Sequence, residues 1–146
     1  MSAPAPGDVV AELRPGAVTR TTLALFAGAS GDHNPIHIDI DSARASGMDD
    51  VFAHGMLSMA YLGRLLTQRF PQSSIRELST RFTAITPVLA EPVLTATVKE
   101  LVSVDDEQRV VLDLDVRLAD GTRTLAGTAV VAWSGPDRDA NATLAP

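Results

Sequence analysis

The stretch "GDHNPIHIDIDSARASGMDDVFAHGM", Gly31 to Met56, holds all three histidines of the 146-residue chain and five of its aspartates, so the groups that titrate near neutral pH are concentrated in one segment. Three chemistries suit these residue types. The first is a turn: Asp and Asn before proline bend the backbone, and Asn34-Pro35 disfavours helix at Asn34. A turn, however, needs neither His33 nor His37. The second is a metal site, because His33 and His37 have the i, i+4 spacing of helical zinc ligands and His54 could be a third. Pro35 makes a helix there a poor expectation, and the glutamate of an HExxH motif is missing. The third is an acid/base pair. Asp32 and His37 lie five residues apart on a proline-stiffened loop that can turn both side chains toward one point. Histidine has the pKa for proton transfer near neutrality, and a carboxylate can orient it or share a water with it. His33 is the weaker candidate. From the residues alone these readings stand side by side, with the metal site the least supported.

"HGM" at residues 54–56 adds a second element. Gly55 falls where a long apolar helix should begin. Free N–H groups and the positive end of the helix dipole gather there, and glycine lets a ligand approach the backbone. Such a position either stabilises charge developing on a carbonyl oxygen or simply starts the helix.

The elements around these residues follow from hydrophobic periodicity. "GMLSMAYLGRLLTQR", residues 55–69, is apolar over most of a helical circumference, so other structure should wrap it. "TLALFAGAS" after Thr21 reads as a short helix capped by threonine. Downstream, Leu112, Leu114, Val116 and Leu118 alternate with Asp113, Asp115 and Arg117, the pattern of a strand with one wet face. Asp120-Gly121 fits a two-residue hairpin turn leading into "RTLAGTAVVAW". "PVLTATVKELVSV", joined onward by "DDEQ", and "IRELSTRFTAITPV", ended by Pro87, supply two more strands. The expected class is α+β, with about four strands in a meander clasping one buried helix.

Composition bounds the function. The chain is one domain in size, and its 45% hydrophobic and 21% charged residues describe a globular protein. Without cysteine there is no disulfide, thiol catalysis or thiolate metal site. A net charge of −6 argues against nucleic acid as a partner. Arg64, Arg69, Arg76 and Arg81 form either a local anion patch or ordinary solvated surface. No apolar run is long enough to span a membrane, and "MSAPAPGD" lacks the features of a secretory signal, so a cytoplasmic location is expected. Residues 1–134 are read as a single domain and 135–146 as a flexible tail, in which Asn141 of "NAT" is an incidental glycosylation match.

"SGDHNPIHID" followed by "VFAHGML" resembles the signature of the MaoC-like hydratases, a family that includes (R)-specific enoyl-CoA hydratases and 3-hydroxyacyl-thioester dehydratases. The matching positions are Ser30, Asp32, Asn34, Pro35, Ile36, His37 and His54-Gly55-Met56, and "RFTAITPV" resembles the family's strand after its central helix. The resemblance implies a hot-dog fold, usually dimeric, with no cofactor and no metal. It implies Asp32 and His37 as the catalytic pair; His37 is preferred here as base and Asp32 as protonated partner, an assignment the sequence leaves open. The Gly55 N–H becomes the thioester-carbonyl donor, and Asn34 braces the loop. Asn34, Ala53, Met56 and Gly63 are the implied substrate contacts for an acyl-CoA or acyl-carrier-protein thioester. Gly63 departs from the family, some of whose members carry an assisting serine there, and its missing side chain makes room for an acyl chain or close packing. The alternatives are a hot-dog thioesterase, a non-catalytic acyl-binding subunit of a heterodimeric dehydratase, and a metal hydrolase.

Overall fold

The computed structural model describes residues 4–133. Strand β1 (Val9–Leu13) is followed by helix α1 (Arg20–Ser30), a 3-10 turn at Pro35–His37, and helices α2 (Ile40–Ala45) and α3 (Gly55–Arg69). Strands β2 (Ile75–Phe82), β3 (Val93–Val104), β4 (Glu107–Arg117) and β5 (Arg123–Ala132) complete it. One antiparallel sheet runs in the order β1-β3-β4-β5-β2, with α3 packed on its buried face. This is an α+β hot-dog fold.

Alternation in the strands builds that face. Leu94, Ala96 and Val98 of β3, Val110, Leu112, Leu114 and Val116 of β4, and Leu125, Ala129 and Val131 of β5 are all buried. They meet Leu62, Leu65, Leu66 and Phe70 from α3 and its end. Each leucine fully buried in this way contributes about 1.5–3 kcal/mol. A second cluster, Val18, Leu23, Ala43, Val51, Ala53 and Leu57, fastens α1 and α2 to the start of α3.

Several local expectations are corrected. The strands do not form a four-stranded meander: β3, β4 and β5 do, but β2 crosses to the far side and pairs with β5, while β1 joins β3 as a fifth strand. β1 is short, lies at the edge and carries a bulge between Val9 and Ala11, so its alternation is broken. β2 ends at Phe82, well before Pro87. Helix α1 begins two residues early, capped by Thr19, whose side-chain oxygen accepts from the Thr22 N–H at 3.0 Å. Asp120-Gly121 is not a two-residue turn: Leu118 and Thr122 close a three-residue loop in which only Gly121 has positive φ (86°). The two-residue turn sits instead at Asp105 and Asp106, with φ of 48° and 64° between paired Val104 and Glu107. Finally, α3 is not wrapped all round. Leu57, Ser58, Leu62, Leu65 and Leu66 are buried, but Met56 is 51% exposed.

Two of the four arginines have partners of their own. Arg76 is engaged by Glu107, which Arg109 also contacts at 2.6 Å, and Arg69 lies over the Phe70 ring. The expected tail, 135–146, and Asn141 lie outside the described residues.

Two consequences are measurable. β2 packs on β5 through Gly127, where an added Cβ would collide with the Ser79 carbonyl oxygen and lie 3.1 Å from Thr80 Cγ2. Gly127→Ala is expected to cost about 1–3 kcal/mol in denaturant unfolding, because backbone rather than a flexible side chain must yield. The Arg76 guanidinium, then Arg109, holds the Glu107 carboxyl at about 2, down from 4.5. The folded state therefore keeps the anion where the unfolded chain has taken a proton. This contribution is complete above about 4.5 and is lost as pH falls to about 2. A carboxyl NMR titration should place Glu107 at the low value and move it upward in Arg76→Gln; a native midpoint near 4.5 contradicts the pairing.

Candidate active site

A chain of hydrogen bonds between near neighbours in sequence shapes the loop between α1 and the 3-10 turn. Gly31 ends α1 at φ 75° and its N–H donates to Ala27. The Ser30 hydroxyl donates to the Phe26 carbonyl at 2.7 Å and accepts from the Asp32 N–H at 3.2 Å. Asp32 Oδ1 accepts from the Asn34 N–H, and Asn34 Oδ1 accepts from the Ile36 N–H. Each polar side chain thus satisfies a backbone donor two residues along, as Asx turns do. Pro35 occupies the first position of the turn, where its missing N–H does no harm, and the His37 N–H donates to the Asn34 carbonyl at 3.2 Å.

Two buried imidazoles then meet. His37 Nδ1 lies 2.8 Å from the Phe52 carbonyl oxygen. A carbonyl only accepts, so Nδ1 carries the hydrogen, and in neutral His37 Nε2 keeps a lone pair. His54 Nε2 lies 3.1 Å from the Asp32 carbonyl oxygen and carries its hydrogen for the same reason; its Nδ1 is buried without a partner. The two rings lie 4.1 Å apart at 35°, with the Phe26 edge against His54 and the Phe52 edge against His37. Burial holds the His54 pKa below its ordinary 6.5; hydrogen bonding to Asp32 opposes this, and neighbouring His37 adds to it.

Ligand atoms of Asp32, His37 and His54 all fall within 4.8 Å of one another. His37 Nδ1 and His54 Nε2 are already engaged by backbone carbonyls, which leaves one ring nitrogen on each imidazole beside the Asp32 carboxylate. As Pro35 leads one to expect, His33 and His37 do not share a helix face: Pro35–His37 is one 3-10 turn and His33 is exposed.

Gly55 is the first residue of α3, and His54 at the cap makes no side-chain bond to the helix end. Leu57 N–H donates back to the His54 carbonyl, so the Gly55 and Met56 N–H groups are the donors presented at this terminus. A Cβ on Gly55 would come within 3.2 Å of the Phe82 ring. Glycine thus lets β2 close over the helix start.

A cleft of about 440 Å³ opens here, lined by Phe26, Ser30, Asp32, Met56, Met59, Ala60 and Leu78. It brings Asp32 and Met56 together. Ala53 does not line it but is buried in the second cluster with its N–H on the Thr86 carbonyl, and Asn34 is exposed on the loop. Gly63 lies one turn beyond Met59 and Ala60, with open space where its Cβ would be. Phe26, Met59, Ala60, Leu78 and Phe82 were not singled out from the sequence. The spacing of Met56, Met59, Ala60 and Gly63 along one helix face was a signal for some of them; Phe82 lay within the quoted "RFTAITPV", but Leu78 had no signal, since only the pairing of β2 with β5 delivers it.

Fold and site together define a hot-dog domain in which one carboxylate, Asp32, lines an apolar cleft and has the buried His37 imidazole within 4.8 Å of it. The chain belongs to the MaoC like domain family, whose model matches residues 2–131. It is similar to the 3-hydroxyacyl-thioester dehydratase Z of Mycobacterium tuberculosis, 34% identical over 74 residues, 51% of this chain and 49% of the relative. The (R)-specific enoyl-CoA hydratase of Aeromonas caviae is 28% identical over 109 residues, 75% of this chain and 81% of the relative. Among solved structures, the (R)-hydratase from A. caviae involved in PHA biosynthesis aligns with a TM-score of 0.77 at 25% identity, covering 90% of this chain and 98% of that one. The matches span 38% and 49% of two curated relatives, so the chain spans about half their length or less. Among the described residues no helix is long and apolar enough to cross a membrane.

Proposed function

We propose that this chain catalyses the (R)-specific, reversible addition of water across trans-2-enoyl thioesters, and in reverse dehydrates (R)-3-hydroxyacyl thioesters, carried on CoA or acyl carrier protein. The observation that carries the reading is the His37 tautomer. With Nδ1–H committed to the Phe52 carbonyl, the free Nε2 lone pair makes neutral His37 a base beside the Asp32 carboxyl. A water between them loses its proton to His37 as its oxygen bonds to C3. The π electrons of the C2–C3 bond move toward the thioester carbonyl, whose developing negative charge meets the Gly55 N–H at the uncapped start of α3. Protonated Asp32 then delivers a proton to C2, the proton taken up by His37 returns to the Asp32 carboxylate to restore the pair, and reversal of these steps expels water. The names of the relatives support this chemistry: a hydratase and a dehydratase describe its two directions.

The same reading includes no cofactor, a single domain over residues 1–134, a cytoplasmic location and a homodimer. Met56 and Phe82, 51% and 50% exposed beside the cleft, and the outer edge of β2 are the surfaces a second copy would cover.

Crotonyl-CoA supplies the test, because its conjugated absorbance disappears on hydration. Wild type should bleach it, and Asp32→Asn and His37→Gln should each lose about 10²–10⁴-fold in rate while remaining folded by circular dichroism. Release of free thiol without bleaching would identify a thioesterase instead, and undiminished rates in both variants would remove the pair from the mechanism. Gly63 extends the Met56/Met59/Ala60 stripe into open space, so Gly63→Leu should reduce kcat/KM for long enoyl chains and spare crotonyl-CoA. An unchanged chain-length profile would show that the acyl chain does not pass Gly63.

A further inference from the structure

We infer that His54 is a positioning residue: as the neutral Nε2–H tautomer it ties the Asp32 backbone to the start of α3 and backs the His37 ring, holding the two halves of the site in register. The inference rests on Asp32 and His37 being the reacting pair. Three observations carry it. His54 is fully buried, yet its Nδ1 has no hydrogen-bond partner, an arrangement that packing alone does not favour. Its only polar contact among the described residues crosses 22 positions of the chain, from the helix start to the Asp32 carbonyl. Its ring lies between Phe26 and His37 in a row that ends on Phe52, so it fixes the plane of the imidazole that must face the water.

The geometry requires opposite tautomers in adjacent rings. His37 holds its hydrogen on Nδ1, for the Phe52 carbonyl, and His54 holds its own on Nε2, for the Asp32 carbonyl. The titratable groups facing His54 are His37 and Asp32, and a second positive charge 4.1 Å from His37 would oppose the proton that His37 must accept. A neutral His54 places no positive charge beside the imidazole that takes up the proton.

Nitrogen-15 NMR of the imidazoles in the wild-type chain near neutral pH tests the arrangement without any substrate, so its outcome is separate from whether the chain hydrates enoyl thioesters. The expected spectrum has His54 protonated at Nε2 alone and His37 at Nδ1 alone; a charged or Nδ1–H His54, or an Nε2–H His37, overturns the inference. Kinetics supply the second arm. His54→Phe keeps a ring but no donor and should lower kcat by about 10²-fold, the scale of a misplaced reacting group, with KM changed less than about threefold. His54→Gln offers an amide N–H at the reach of Nε2 and should recover kcat to within about tenfold of wild type. Equal losses in the two variants, or none in His54→Phe, would overturn the role of the donor.

Discussion

Leu62, Leu65 and Leu66 fix α3 against the buried face of the sheet, and the rest of the site is measured from where that helix begins. The helix axis is held by side chains in its middle turns, and its first residue, Gly55, lies under the Phe82 ring of β2 with its N–H left uncapped. A capping side chain there would have satisfied the helix and closed the site. His54 occupies the cap position without capping, and its ring turns instead to Asp32.

The loop from Ser30 to His37 solves a different problem. It must keep a carboxylate and an imidazole close together on backbone that neither a helix nor a strand supports. Its own polar side chains provide the bonds that regular structure would otherwise supply, and Pro35 removes one donor and one rotational freedom. The loop's outer contacts are two backbone carbonyls, each receiving an imidazole N–H. Those bonds join residues far apart in sequence, so the site is held by the same tertiary packing that holds the helix.

Family and fold agree with the pattern quoted from Ser30 to Met56, but the cleft owes as much to residues without a pattern. Leu78 and Phe82 come from an edge strand whose burial is irregular, and they arrive at α3 because β2 crosses to pair with β5. Gly127 permits that pairing at close range. In the hairpins, both Asp-Asp and Asp-Gly lie between strands, and dipeptide preference assigned the two-residue turn to the wrong one. Loop length is set by the register of the flanking strands, which local residues do not encode.

What the sequence by itself determined was short in range: the span of α3 at Gly55–Arg69, the buried alternation of β4, and the placing of Asp32 and His37 on one proline-bound loop. These follow from spacing, because a period of 3.6 or 2 and a proline act on a few neighbouring residues. Tertiary structure alone decided the sheet order, the open face of α3, and the stack of His54 on His37. It also decided which nitrogen of each ring carries a hydrogen. Each of these depends on a partner 15 or more positions away: Phe52 for His37, Asp32 for His54, β5 for β2. A hydrogen bond or a strand pairing specifies its partner only after the core has brought the two together.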